Sequence, residues 1–280
     1  MKTDTLTSGT IQISVDESFR PVIQEQIKVF TSQNPQAQII VHYKPETECL
    51  KDLMCDSIRM VIVARGLSPE EEDIMKAQLF YVPRYNKLAY DAIAVILHSQ
   101  AREDVFSMAA LRNILEGIDD SGFQAVMDGT RATGTVRYLI DMVLQGKQLA
   151  ENVVGAKDSR AVIDYVASHP KAIGFIGVSW IGDQDDPEQL VFLKRVKVAA
   201  LECGSCDEKT YVKPYQANIA LKNYPLIRLL YYIVKENYGG LGSGFSNFMR
   251  YEKGQLIFRR AYLMPAQMSF QVRKAELRES

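Results

Sequence analysis

Short apolar segments alternate along this chain with segments of helical periodicity, and the alternation limits the fold more than any other feature. Strand patterns occur at residues 11–15 (IQISV), 37–42 (AQIIVH) and 60–64 (MVIVA), with helical patterns between them. The third segment is entirely apolar, which is typical of a strand buried on both faces of a parallel sheet. The alternation therefore predicts an α/β protein with mostly parallel sheets and helices on both faces.

The same alternation continues towards the C-terminus. Residues 226–234 (LIRLLYYIV) fit a buried strand or helix, and Arg228 interrupts their apolar run. A Gly-rich break follows at residues 239–242. The remaining predictions are strands at 93–97, 172–178 and 196–201, and helices at 22–31, about 46–56, about 134–145, 159–168 and about 245–260.

Length and composition exclude several classes of protein. The 280 residues are long for one compact core and suit two lobes. Lys and Arg number 33 against 34 Asp and Glu, so the chain has no basic footprint for nucleic acid. No apolar stretch approaches the roughly 20 residues of a membrane span.

The four cysteines leave alternatives open. Cys203 and Cys206 form a CxxC, which is half of a zinc site, and no histidine lies at a spacing that completes it. The pair is either a local disulfide or two inert thiols. Cys49 and Cys55 lie on a helical pattern six residues apart and would face different sides, so they are not expected to pair.

Residues 127–140 (MDGTRATGTVRYLI) change from a polar turn to an amphipathic helix. Thr133, Gly134 and Thr135 start that helix, with Arg131 and Arg137 nearby. Hydroxyl residues at a helix start are usually caps. The alternative is an oxyanion site, because a helix N-terminus presents unpaired N–H groups and a partial positive charge.

The common motifs for catalysis and cofactor binding are absent from the sequence. The sequence holds no GxSxG elbow, no HExxH and no pair of histidines at metal spacing, and its glycines match no phosphate loop. A nucleophilic enzyme is therefore poorly supported, and neither a cofactor nor a metal is predicted.

Seven segments in order resemble the phosphate-binding proteins of phosphate ABC importers, within the bilobal type II periplasmic binding proteins. Together they extend over roughly residues 9–267. They are GTIQISVDESFRPVIQEQIKVF with NPQAQIIVHY, VIVARGLSPEE, AYDAIAVILH, LRNILEGI, the helix start at 127–140, KAIGFIGVSW, and NYPLIRLLYYIVK with GFSNFMRYEKGQLIFRRAYLMPA.

The resemblance implies a two-lobe fold with two crossover strands and an oxyanion in the cleft. Residues 9–88 and 224–280 would form the first lobe, and residues 89–223 the second. The protein would be a non-enzymatic monomer that delivers phosphate to an ABC permease. The contacts implied are Ser18, Phe19, Glu46 and Thr47 in the first lobe, and Thr133, Gly134 and Thr135 in the second.

The resemblance also implies export to the periplasm or cell surface, commonly with a lipid anchor. The first ten residues, MKTDTLTSGT, contain no apolar signal segment, as in a cytosolic protein or in an exported chain whose leader has been removed. Export would place the CxxC in an oxidising compartment and favour the disulfide.

The sequence departs from the family pattern at the anion site. The family has an Arg four residues before its Ser-Gly-Thr, where this chain has Gly129, so Arg131 or Arg137 is expected to substitute. Glu46 stands in a turn that is glycine-rich in the family. We consider two roles for Glu46: an acceptor for a proton on phosphate, which would exclude sulfate, or a helix N-terminal acid.

Two functions follow from the resemblance and its departures. The first is capture of phosphate or a related oxyanion for an ABC importer. The alternative is a surface-attached interaction or sensing module that keeps the fold and has lost phosphate binding. An oxyanion bound at the 133–135 helix start would favour the first function.

Overall fold

The computed structural model describes residues 4–129, 133–183, 185–206 and 209–267. Within these ranges the chain alternates strands and helices from β1 onwards. The strands are β1 (Gly9–Asp16), β2 (Ala37–Lys44), β3 (Ile58–Val63), β4 (Arg84–His98), β5 (Val105–Phe106), β6 (Gln124–Met127), β7 (Val154–Gly155), β8 (Ala172–Gly177), β9 (Val196–Val198), β10 (Ala200–Glu202), β11 (Tyr211–Val212), β12 (Ile227–Val234) and β13 (Met264–Pro265).

The helices connect these strands and cover the sheet. Two short 3₁₀ helices, Glu17–Phe19 and Val178–Trp180, follow β1 and β8. None of the described helices is both long and apolar enough to cross a membrane. The α-helices are α1 (Arg20–Gln33), α2 (Glu46–Asp52), α3 (Pro69–Leu79), α4 (Met108–Glu116), α5 (Gly134–Met142), α6 (Ser159–Ser168), α7 (Pro187–Arg195), α8 (Gln216–Ala220), α9 (Leu241–Arg250) and α10 (Glu252–Arg260).

Most strands belong to one sheet with the order β2-β1-β3-β12-β4-β8-β6-β7, and β9 and β13 also pair with β4. Strand β1 pairs in parallel with β2 and β3, and β6 pairs in parallel with β7 and β8. The central strands β4 and β12 run antiparallel to their neighbours. The parallel arrangement expected from the sequence is therefore found in the outer parts of the sheet.

Strand β4 connects the two lobes of the fold. Up to Ala92 it pairs with β12, and from Ile93 onwards it pairs with β8. The same strand thus enters the sheet of the first lobe and continues into that of the second. The sequence pattern predicted a strand at residues 93–97 only, and it missed the earlier half of β4.

The apolar strand β3 is buried on both faces, as its composition predicts. Met60 and Ile62 pack in the largest hydrophobic cluster, while Val61 and Val63 pack in a separate cluster with Cys49 of α2. Alternate side chains of one strand therefore reach cores on opposite faces. This double burial fixes the end of β3 beside the candidate site.

Three predicted helices differ from those observed. Helix α5 ends at Met142 and α2 at Asp52, both earlier than predicted. The C-terminal helix is in fact two helices, α9 and α10, which meet at Tyr251. Tyr251 has an extended backbone with a φ of −91° and a ψ of 177°, so the helical hydrogen-bond series is interrupted there.

Cys203 and Cys206 form a disulfide, which confirms the local pairing, whereas Cys49 and Cys55 are free thiols. The bond closes a loop with a sequence separation of 3. The chain-entropy model gives about 2 kcal/mol for a loop this short. We therefore expect the double variant Cys203→Ser/Cys206→Ser to lose about 2 kcal/mol of unfolding free energy in urea denaturation.

Thiol titration provides the control for this prediction. The unfolded, unreduced wild-type chain should expose two reactive thiols, those of Cys49 and Cys55, and the double variant the same two. Four reactive thiols in the wild-type chain, or equal urea midpoints for the two proteins, would contradict the prediction.

Candidate functional site

Helix α5 begins with a turn in which two hydroxyl groups are held by Asp128. Thr133 is the N-cap residue, and its Oγ1 accepts a hydrogen bond from the backbone N–H of Val136 at 3.2 Å. The hydroxyl of Thr133 donates to Asp128 Oδ1 at 3.1 Å, and that of Thr135 donates to Asp128 Oδ2 at 3.3 Å. Thr133 is thus a helix cap and also part of a buried polar cluster.

Asp16 ends β1 and faces this helix start. Its Oδ1 accepts hydrogen bonds from the backbone N–H and the hydroxyl of Ser18, at 3.0 and 2.9 Å. Its Oδ2 is buried and has no hydrogen-bond partner among the described residues. A Cβ atom added to Gly134 would overlap with this oxygen, so Oδ2 lies against the first turn of α5. A buried acceptor without a donor costs free energy, and it marks a place where a ligand donor would be favourable.

Gly134 is required at the start of α5 because of this close approach. An added Cβ would overlap with Asp16 Oδ2 and lie 3.1 Å from Glu46 Oε2. Alanine favours a helix by about 1 kcal/mol over glycine, so any loss of stability must come from the overlap. We expect Gly134→Ala to lower the unfolding free energy by roughly 1–3 kcal/mol in urea denaturation.

Gly239→Ala is the matched control, because a Cβ there would meet side-chain atoms of Leu6 at ordinary distances of 3.8 Å and beyond. It should leave the unfolding free energy within about 0.5 kcal/mol of the wild-type value. A Gly134→Ala protein as stable as this control would show that Asp16 does not occupy the position described.

Arg228 lies at the centre of the polar cluster and is 3% exposed. Its Nε donates to Asp91 Oδ2 at 2.7 Å and its Nη2 to Ser18 Oγ at 3.0 Å. Its Nη1 donates to Thr135 Oγ1 at 3.3 Å. The guanidinium group also lies over the ring of Phe19, 4.6 Å from its centroid. One arginine on a crossover strand therefore holds groups from both lobes.

The ion pair between Glu46, the first residue of α2, and Arg137 of α5 connects the two lobes, and we call such an inter-lobe contact a clasp. Glu46 Oε1 accepts from Arg137 Nε at 2.5 Å, and Glu46 Oε2 accepts from Arg137 Nη2 at 3.3 Å. Oε2 also accepts from the backbone N–H of Ala64 at 2.9 Å. Both oxygens of Glu46 therefore have donors within the protein, whereas Asp16 Oδ2 has none among the described residues.

A second clasp connects the lobes through Glu17. Its Oε2 accepts from the backbone N–H and the hydroxyl of Ser159, the first residue of α6, at 3.1 and 2.9 Å. The indole Nε1 of Trp180 donates to the carbonyl oxygen of Ser18 at 3.1 Å. The two lobes are therefore in contact on several sides of the polar cluster.

Negative charge exceeds positive charge in this region. Buried Asp16, Glu46, Asp91 and Asp128 face two arginines, Arg137 and Arg228. Burial raises the pKa of Asp16 to about 7; the charge of Glu46 acts in the same direction and that of Arg228 opposes it. Burial also raises the pKa of Asp91 and Asp128 against the opposing charge of Arg228. The region therefore retains protons that exposed carboxylates would lose.

Most of the residues predicted from the sequence come together here. Thr47 is the exception, since it is exposed on α2, and Arg131 lies outside the described residues. Arg137 binds Glu46 and does not join Arg228. The residues that do meet around the start of α5 are Ser18, Phe19, Glu46, Thr133, Gly134 and Thr135.

The sequence interpretation missed four of the charged groups, namely Asp16, Arg228, Asp91 and Asp128. One signal was present for Arg228, because a charged residue inside an apolar segment must find buried partners. No group of three or more His, Cys, Asp or Glu in the described part of the chain is arranged to hold a metal ion.

The two lobes, the crossover strands and the polar cluster between them define a bilobal binding protein of type II topology. A family model for the PBP superfamily domain matches residues 2–252, and the chain belongs to that superfamily. A search of curated proteins finds no match.

Solved structures with the same fold include phosphate-transport proteins and a regulatory domain. A putative phosphate ABC transporter substrate-binding protein with bound phosphate from Clostridium perfringens is 21% identical, with a TM-score of 0.76 over 92% of this chain and 100% of that chain. An ABC-type phosphate transport receptor from Vibrio cholerae is 17% identical, with a TM-score of 0.66 over 92% and 100%. The reduced regulatory domain of OxyR2 from Vibrio vulnificus is 10% identical, with a TM-score of 0.55 over 89% and 96%. At these identities the similarity concerns the fold.

Proposed function

We propose that this protein is an extracytoplasmic solute-binding protein that captures phosphate, or a related protonated oxyanion, between its lobes for an ABC importer. The observation that carries the proposal is the buried Asp16 Oδ2, which faces the N-terminus of α5 and has no hydrogen-bond partner among the described residues. An anion bound there must offer acceptor oxygens to the protein's donors and must also donate one O–H to the ionised carboxylate of Asp16. Phosphate near neutral pH has both, and sulfate has no O–H.

The donors for the anion surround the same point. The first turn of α5 supplies backbone N–H groups and a partial positive charge. Arg228 is a source of charge-assisted hydrogen bonds, and in this structure its guanidinium group donates to the hydroxyl oxygens of Ser18 and Thr135. The expected ligand contacts are thus Ser18, Thr133, Gly134 and Thr135, together with Asp16 and Arg228.

The clasps imply how the ligand enters. Asp16 and Glu46 lie against Gly134, at the position that an anion on this helix would take. Capture therefore requires the lobes to separate, the ligand to bind, and the lobes to close again by a hinge motion. Glu46, held by Arg137 and Ala64, is assigned to closure rather than to selection of phosphate.

The family membership supports the remaining parts of the proposal. Substrate-binding proteins of ABC transporters share this fold, and phosphate is named for the two structures described above. The proposed partner is an ABC permease, the proposed location is outside the cytoplasm, and the protein acts as a monomer without catalysis. The Cys203–Cys206 disulfide fits an oxidising compartment. A lipid anchor and the lobe boundaries at residues 88/89 and 223/224 stay predictions.

The test is calorimetric titration of phosphate-stripped protein with phosphate and, as a control, with sulfate, at pH 8, where Asp16, with its pKa of about 7, is ionised and cannot donate to sulfate. We expect phosphate to bind with a Kd of about 1 μM or tighter, that is, about −8 kcal/mol, and sulfate to give no heat. Absence of binding for both anions would contradict the proposal and favour the interaction or sensing module. Equal binding of both anions would contradict the role of Asp16.

A further inference from the structure

A second concave surface lies on the opposite face of strand β12 from the polar cluster. Side chains alternate along this strand, so Arg228 and Leu230 are buried on the cluster side. Ile227, Leu229 and Tyr231 are half-buried and line a groove of about 960 Å³ on the other face. This volume is within the range of pockets that hold small organic molecules. Arg228 also borders the groove, so the groove adjoins the proposed phosphate site along this strand.

The groove has an aromatic wall. Tyr90 of β4 lies opposite Leu229 of β12 in the sheet, and both line the groove with Tyr231. Tyr138 of α5 lines it too, and its hydroxyl donates to the carbonyl oxygen of Ile227 at 2.8 Å. Such a surface suits the flat apolar body of an organic ligand better than a small hydrated anion.

The charged groups at the groove are all basic. Arg65, Arg137, Lys222 and Arg228 line it, and no Asp or Glu in the described part of the chain does so. Arg65 is paired with Glu71, Arg137 with Glu46 and Arg228 with Asp91. Lys222 is exposed and forms no ion pair with a described residue. The groove therefore complements a negative charge, and Lys222 is a cation available to meet it.

The groove is bounded by both lobes. Ala64, Arg65 and Gly66 follow β3 of the first lobe, whereas Arg137 and Tyr138 belong to α5 of the second. Arg137 also forms the clasp with Glu46. The site is complete in the arrangement of lobes seen here.

We propose that this groove is a second ligand site, which takes an amphipathic organic anion with an aromatic body and a single anionic head group. The body packs on Tyr90, Leu229 and Tyr231, and the head group pairs with Lys222 at the rim. The proposal does not require phosphate binding, because none of these four residues is a proposed phosphate contact.

Naphthalene-1-sulfonate is a suitable probe. It is an aromatic anion, and its sulfonate carries no proton, so the site at Asp16 should refuse it. We expect the full chain to bind the probe in calorimetry with a Kd below about 1 mM, and the neutral analogue 1-naphthalenemethanol at least about fivefold more weakly. Inorganic phosphate should not displace the probe.

Two variants locate the site. Lys222→Glu changes an exposed residue and should weaken binding of the probe at least about fivefold, while Leu229→Ala should do so by removing apolar contact. Lys253→Glu, an exposed change on α10 away from the groove, is the matched control and should bind the probe as the wild type does. Binding that survives both groove variants, that phosphate displaces, or that is absent at millimolar probe would overturn the proposal.

Discussion

Arg228→Met is expected to abolish phosphate binding and to lower the unfolding free energy by about 3–5 kcal/mol. The arginine is 3% exposed, and Asp91, its direct partner, is fully buried. Removal of the cation leaves that carboxylate without a counter-charge in a region of excess negative charge. Urea denaturation measures the loss of stability, and calorimetry the loss of binding.

A double variant separates binding from folding. Arg228→Met with Asp91→Leu removes both charges, and replacement of a buried ion pair by apolar groups is often neutral for stability. We expect this protein to be more stable than Arg228→Met alone and still not to bind phosphate. If either variant binds phosphate with wild-type affinity, Arg228 is not part of the anion site.

The position of Arg228 illustrates what the sequence cannot provide. Its three hydrogen-bond partners lie 137, 93 and 210 residues away along the chain. No local pattern relates positions so far apart, because their contact depends on how the crossover strands are placed between the lobes. The sequence does show a charged residue in an apolar strand, and that observation alone predicts a buried partner.

Local features, in contrast, are predicted well. The apolar strand predicted at residues 60–64 is found as β3. The start of α5 is likewise found with Thr133 as its cap. In each case the physical cause, periodicity or a cap, lies within a few residues of the element.

The errors arise where packing overrides the local pattern. The first half of β4 contains Arg84, Asn86 and Lys87, which are exposed, so its composition does not resemble a buried strand. Its hydrogen bonds come from β12, a segment distant in sequence. Similarly, the role of Glu46 depends on Arg137 in the other lobe, 91 residues away.

Asp16→Asn is expected to change the choice of anion at pH 8. In the proposed complex one proton is shared between Asp16 Oδ2 and a phosphate oxygen. Above the pKa of Asp16, about 7, the carboxylate is ionised, and monohydrogen phosphate supplies this proton because it keeps one O–H above its second pKa. The wild type at pH 8 should therefore bind phosphate and reject sulfate, which has no O–H.

The asparagine variant does not need this proton, because its amide can donate to an unprotonated oxygen. We expect Asp16→Asn to bind sulfate as well as phosphate in calorimetry at pH 8. Glu46→Gln is the control and should keep the rejection of sulfate, since both oxygens of Glu46 are already occupied by protein donors. If Glu46→Gln binds sulfate and Asp16→Asn does not, Glu46 is the acceptor that selects phosphate.

Stability should respond to the same substitution in a pH-dependent way. The pKa of Asp16 is raised from 3.8 to about 7 in the fold, so the folded state holds a proton that the unfolded chain releases near pH 4. Stability linked to Asp16 is therefore fully present below pH 4 and is lost as the pH rises through about 7. Asp16→Asn removes this loss, so it should exceed the wild type in unfolding free energy by roughly 2–4 kcal/mol at pH 8 and by little at pH 4. Urea denaturation at the two pH values measures the difference, and a gain that is equal at both would show that folding does not raise the pKa of Asp16.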